Sequence, residues 1–215
     1  VPDLTLSFDN GPEPAVTPTV LDILAARGIR ATFFVIGRKA ATPEGQALCR
    51  RAHDEGHWIG NHSWSHTTPL GELREAGAAA AEIELAQQAI APLAHPLKLF
   101  RPFGGGGHLD RRVLNSEALA TLQAGRYSCV LWHEVPRDWA DPEGWCETAL
   151  RQLAERAWRL MVLHDLPSGA MAHLARFLDT ARDRGTRFRQ EIPPDCMPIR
   201  CGEIVGSLEG LVTTS

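Results

Sequence analysis

"LTLSFDNGPEPAVTPTVLDILAARGIRATFFVI", Leu4 to Ile36, sets two apolar runs on either side of one helical pattern. Leu4 to Phe8 reads as a strand and Ala31 to Ile36 (ATFFVI) as a second, buried one. Between them Pro18 to Arg27 predicts a helix, with Thr17 as N-cap, Pro18 at its first position and Gly28 just past its end.

The same alternation continues along the chain. Glu44 to Glu55 predicts a helix ending at Gly56, followed by a short strand from His57 to His62. Leu70 to Leu93, rich in Ala, Glu, Leu and Gln, predicts the longest helix, stopped near Pro92. Further strands are expected at Leu97 to Arg101, Tyr127 to His133, Arg159 to Leu163 and Arg187 to Ile192, with helices over Asp110 to Gln123, Pro142 to Trp158 and Gly169 to Arg184. Strands alternating with helices over the whole length imply βα units on a parallel sheet, open or closed into a barrel, with about seven units in all. No repeat, low-complexity tract or linker divides the series, so residues 1–215 read as a single domain; the tail after Pro193 reads as irregular.

Composition excludes several partners. A net charge of -4 with 22% charged residues leaves no basic field for nucleic acid, which favours small molecules or neutral polymers. No apolar run reaches the 18 or more residues needed to span a bilayer. The N-terminus carries no signal-peptide pattern, and Cys49, Cys129, Cys146, Cys196 and Cys201 are scattered without CxxC spacing. Both features favour a reducing compartment, with export left open if a leader was trimmed and with a local Cys196–Cys201 disulfide possible in that case.

In a parallel sheet the carboxyl ends of the strands face one side, where ligands bind. Those ends carry Asp9-Asn10-Gly11, the run His62-Ser63-Trp64-Ser65-His66, Arg101-Pro102-Phe103 before four glycines, Arg137-Asp138-Trp139, and His164-Asp165. Each alone has a plain structural reading: Asp-Asn-Gly is a common turn, a lone HxxxH is commonly packed or solvated, and Arg101 can simply close an ion pair. His62 and His66 lie four apart, a spacing that on one helical turn presents two imidazoles to a metal. The glycines from Gly104 lack the Lys-Ser/Thr or GxGxxG pattern of a phosphate cradle and read as a loop that lets a substrate approach the backbone. Trp64, Trp132 and Trp139 offer flat faces near the rim, and His133 lies close to it.

The ordered set SFDNG, HSWSH, RPFGG, RDW and LHD resembles the five motifs of the polysaccharide deacetylase family, also called the NodB-homology family or carbohydrate esterase family 4. The resemblance implies a distorted (β/α)7-type barrel that removes acetyl groups from an N-acetylated oligo- or polysaccharide with a divalent metal, usually zinc. Carried over, it implies Asp9 as catalytic base, Arg101 as the holder of that carboxylate, Asp138 as the acid that tunes the catalytic histidine, and His164 as general acid. It implies Asn10, His62 and His66 at the metal, and Phe103, Gly104, Trp139 and Leu163 around the substrate.

Two positions depart from the family pattern. Asn10 stands where most members have an Asp ligand; a neutral amide is a poorer donor for zinc, so weaker metal retention is expected, although some branches also read Asp-Asn-Gly. Phe103 replaces the usual second proline of the third motif. Two other readings are weighed: relatives on this fold that hydrolyse cyclic imides or ureides, some without metal, and an inactive saccharide-binding homologue. Retention of His62 and His66 argues against the first, and of Asp9 with His164 against the second.

Overall fold

A computed structural model describes residues 2–213. Its strands are β1 (Asp3–Asp9), β2 (Thr32–Val35), β3 (Trp58–Asn61), β4 (Leu99–Phe100), β5 (Leu114–Asn115), β6 (Ser128–Cys129), β7 (Trp158–His164), β8 (Arg187–Arg189), β9 (Ile199–Arg200), β10 (Glu203–Ile204) and β11 (Val212–Thr213). Its helices are α1 (Thr17–Ala25), α2 (Gly37–Ala40), α3 (Pro43–Asp54), α4 (Ala78–Ile90), α5 (Ser116–Ala124), α6 (Trp145–Leu153) and α7 (Leu174–Asp183).

β1 is buried along its whole length, with both edges paired and both faces covered. It pairs in parallel with β7 from Asp3↔Trp158 to Asp9↔His164, while its other edge is shared by β8 at Asp3–Thr5 and β2 at Ser7–Asp9. The main sheet runs β10-β9-β6-β4-β3-β2-β1-β7. It curls until the segment after β6 meets β7: His133 N and Glu134 N both donate to Leu160 O, and Val162 N donates to Glu134 O. The result is the parallel sheet that the alternation implied, curled into the distorted barrel form that the family resemblance implied.

Strand parity sorts the side chains. Along β1, Leu4, Leu6 and Phe8 join the apolar cluster against α1, α3, α6 and α7, which leaves Thr5, Ser7 and Asp9 on the opposite, interior face. Along β7, Leu160 and Val162 belong to the second cluster with Phe34, Leu99 and Phe100, whereas Met161 and Leu163 belong to the first. The interior face of β1 is thus polar towards its carboxyl end.

Several expectations are corrected. The long helix begins only at Ala78, because Leu70–Glu72 is a 3₁₀ turn packed on the chain near Arg112. There Gly71 N donates to Arg112 O at 2.8 Å, and a Cβ on Gly71 would stand 2.3 Å from Arg111 O. The expected helix start at Asp110 moves to Ser116: Leu114–Asn115 pairs with β11, and Asn115 Oδ1 caps by accepting from Ala118 N at 2.8 Å. Thr17 is not the N-cap of α1, a position held by Val16. The Tyr127–His133 strand contracts to β6, and the last helical stretches to α6 and α7. Nor is the tail wholly irregular, since β9 runs antiparallel to β6 and β10 antiparallel to β9. All five cysteines are free thiols, Cys196 and Cys201 included. No helix among the described residues is long and apolar enough to cross a membrane.

Candidate active site

A cavity of about 290 Å³ opens at the carboxyl ends of the strands, and its walls include Asp9, Asn10, His62, His66, Phe103, Gly104, Trp139 and His164. Its centre is built from β1 and β4. Asp9 ends β1, and Arg101 directly follows β4 with no exposed surface at all. Arg101 Nη1 donates to Asp9 Oδ1 at 2.8 Å and to Ser7 Oγ at 2.6 Å, while Nε and Nη2 donate to the carbonyls of Val130 and Leu131. Its guanidinium lies 4.0 Å from the Phe34 ring centroid, so a buried charge is paired, hydrogen-bonded and stacked at once.

Beside this pair, in register with Asp9 on the neighbouring strand, His164 ends β7. Asp138 Oδ1 is 2.8 Å from its Nδ1, and Asp138 Oδ2 accepts from its backbone N at 2.9 Å. Burial works against a charged ring, but the hydrogen bond and charge of Asp138, joined by the charges of Asp9 and Asp165, outweigh it and raise the His164 pKa. With Nδ1 committed to Asp138, Nε2 is the ring atom left for the cavity. Trp139 meets the ring edge-on at 4.6 Å between centroids.

His62 and His66 come together, but not on a helical turn. The chain from His62 to His66 is a loop bent by left-handed residues Ser63 (φ 67°) and His66 (φ 54°), and it brings the two rings to 4.7 Å. His62 Nδ1 lies 2.7 Å from Arg101 O and donates to it, so its Nε2 carries a free lone pair, 3.5 Å from Asp9 Oδ2. Burial pushes both imidazoles down to about 3, so both are neutral at physiological pH.

Asn10 occupies the left-handed region (φ 76°), which asparagine tolerates, and its backbone O accepts from Lys39 Nζ at 2.8 Å. Its side-chain Oδ1 is buried with no hydrogen-bond donor among the described residues. One orphaned amide oxygen and two neutral imidazoles around one cavity form a donor set suited to a divalent cation.

Three expected contacts fall elsewhere. Leu163 is fully buried in the helix-side cluster, and its neighbours in the chain, Val162 and Leu166, line the cavity in its place. The alternation of β7 carried that signal, because a cavity-facing His164 requires Val162, not Leu163, on the same face. Trp64 packs against Gly37 of α2 rather than the rim, whereas Trp132 does line the cavity and donates from Nε1 to Gly107 O at 3.0 Å. His133 sits at the β6–β7 seam with Asp195 and Cys196. Its Nδ1 accepts from Leu160 N at 3.1 Å, so Nε2 bears the proton and faces Asp195 Oδ2 at 3.1 Å and Cys196 Sγ at 3.3 Å. That nitrogen has no lone pair for a cation, Arg156 already neutralises Asp195, and burial holds the Cys196 thiol up at about 12.

Ser7 has no mark in the sequence beyond its place in the SFDNG motif, and Asp165 is marked there only as a rim residue beside His164. Asp165 is fully buried behind the Asn10 turn, where its Oδ2 accepts from Thr17 Oγ1 at 2.5 Å; Thr17 Oγ1 in turn accepts from Glu13 N at 2.7 Å. This is why Thr17 does not cap its own helix.

The family model for polysaccharide deacetylase matches residues 2–125. The chain belongs to the polysaccharide deacetylase family. It is 32% identical over 195 residues to a peptidoglycan-N-acetylglucosamine deacetylase of Bacillus cereus, a match covering 86% of this chain and 84% of that protein. A chitooligosaccharide deacetylase of Bradyrhizobium is 35% identical, over 74% of this chain and 69% of the relative. A family 4 carbohydrate esterase from Streptomyces lividans, solved in complex with acetate, superposes with a TM-score of 0.73 at 26% identity, covering 91% of this chain and 96% of the other. The polysaccharide deacetylase match ends before Asp138 and His164; the structure brings His164 to the cavity that the matched segment lines, with Asp138 buried behind it on its Nδ1.

Proposed function

We propose that this chain hydrolyses the acetamide of N-acetylated glucosamine units in chitooligosaccharide or peptidoglycan, with Asp9 as base and His164 as acid. The named activities of its relatives support an amide hydrolase of N-acetylated sugars. The observation that carries the assignment of roles is the pairing of a carboxylate fixed by Arg101 with an imidazole whose charged form Asp138 favours, both lining one cavity.

The steps follow from these atoms. Asp9, held in place by Arg101 at 2.8 Å, accepts the proton of a water that attacks the amide carbonyl carbon. Charge then develops on the carbonyl oxygen, and the Phe103–Gly104 backbone beside it contributes N–H groups that donate to no protein acceptor among the described residues. His164 Nε2 protonates the nitrogen as the C–N bond breaks, which releases acetate and the free amine. Trp139, Val162, Trp132 and Leu166 give the cavity its apolar wall, suited to an acetyl methyl group. Asn10, His62 and His66 would hold the divalent ion, which when bound polarises the carbonyl and acidifies water.

The experiment is acetate release from N-acetylglucosamine oligomers and from peptidoglycan fragments, with chelator and with added zinc or cobalt. Release is expected with either ion and is lost on chelation, and Asp9→Asn or His164→Ala lowers it by about 10²–10⁴-fold. Absence of release under every metal condition, with turnover of a cyclic imide, would overturn the assignment.

A further inference from the structure

We propose that Phe103 is a positioning residue for His66: its ring fixes the plane of the imidazole and thereby raises retention of a divalent cation by Asn10, His62 and His66. The inference rests on the metal reading above and concerns how this chain offsets a neutral ligand at Asn10.

The two histidines are held in different ways. His62 follows β3 directly, and its ring is locked by the Nδ1 hydrogen bond to Arg101 O. A ligating histidine ordinarily has such a bond on its second nitrogen, which sets tautomer and ring plane. His66 has no such bond to another residue among the described residues; the only hydrogen-bonding partner of its ring is its own backbone. Its backbone is nonetheless fixed, because Glu82 takes both Ser65 N (2.8 Å) and Ser65 Oγ (2.7 Å). The ring's contact to its own backbone moves with the residue itself, so the plane of the ring is left to be set by packing.

Phe103 supplies that packing. The Phe103 and His66 rings are stacked with centroids 3.8 Å apart and an interplanar angle of 23°. The same phenyl ring meets His62 edge-on at 6.2 Å, so it bears on both imidazoles at once. Its own position is secured two residues upstream, where Arg101 N donates to Asn61 O at 2.8 Å and the Arg101 side chain is buried. A saturated ring at position 103 would offer His66 no π face. The stack also matters more here than beside an anionic ligand, since a neutral amide oxygen binds a cation less strongly and leaves more of the affinity to preorganised donors.

The test is competitive chelator titration of the metal-free protein with Zn²⁺ and Co²⁺, independent of turnover. Phe103→Leu, which keeps bulk but loses the flat face, lowers affinity about three- to tenfold, while Phe103→Tyr stays within about twofold of wild type. Asn10→Asp, titrated alongside, binds more tightly and confirms that the readout reports this site. Thermal midpoints of the metal-free variants, matched to wild type, separate ring positioning from loss of fold. Wild-type affinity in Phe103→Leu overturns the proposal, as does an equal loss in Phe103→Tyr. A wild-type protein that takes up neither ion overturns the metal reading and the proposal together.

Discussion

Asp138 spends both carboxylate oxygens on one residue, accepting from the His164 backbone with Oδ2 and facing Nδ1 with Oδ1. The first bond fixes where the residue sits and the second fixes ring orientation and charge. Because the folded-state pKa of His164 is raised, its acid form persists above the ordinary imidazole value of about 6.5, and the alkaline limb of kcat/KM lies above that value. The stability this group adds has the same sign: it is complete below the unfolded pKa and is lost as pH rises through the folded one. Asp138→Asn removes the charge and moves the alkaline limb down, with kcat/KM at neutral pH falling by about 10²-fold. A pH profile of kcat/KM for both proteins checks this, and an unmoved limb would show that another group sets it.

At the level of elements, the Asp165 carboxyl ties the end of β7 to the start of α1 and presses on the Asn10 turn. Gly11 must lack a side chain there, since a Cβ would stand 2.2 Å from Asp165 Oδ2. Burial pushes the Asp165 pKa up to about 7, with the Thr17 hydrogen bond opposing, and Oδ1 has no donor among the described residues. A carboxyl whose folded pKa lies above its unfolded value binds protons more readily when folded, so its contribution falls as pH rises from about 4 to about 7, by up to about 4 kcal/mol. Asp165→Asn abolishes that slope, and urea midpoints of the two proteins compared across this interval measure it. The link between Asp165 and Thr17 also explains what was legible in the sequence. Thr17 before Pro18 has every local mark of a cap, yet its hydroxyl answers a residue 148 positions away. Likewise Leu70–Gly77 has a helical composition, but close packing of Gly71 against Arg111 and Arg112 overrides propensity. Elements whose apolar period is local, such as β1, β2 and α3, were readable for the opposite reason.

At the scale of the whole molecule, the site exists because parallel strands deliver five distant segments to one rim, which the order of polar residues at strand ends made visible. The facing of Leu163 and the stack of Phe103 on His66 were not visible, because both depend on how the curled sheet sets one strand end against the next. That curl has a seam. β7 meets the chain after β6 through a single bridge, Glu134↔Met161, and Leu160 N donates to a side chain, His133 Nδ1, in place of a backbone carbonyl. Trp132 and Val135 flank this seam and also line the cavity, so closure of the barrel and shape of the site are one property. His133→Ala leaves the Leu160 N–H without its acceptor and is expected to cost about 1–3 kcal/mol in urea unfolding. It also speeds hydrogen exchange at Leu160 ahead of the β1–β7 amides, and lowers kcat because the wall carrying Trp132 loosens. His133→Asn, whose Oδ1 can take the same proton, restores most of the loss. Unchanged Leu160 protection in His133→Ala would show that the backbone bonds of the seam close the barrel unaided.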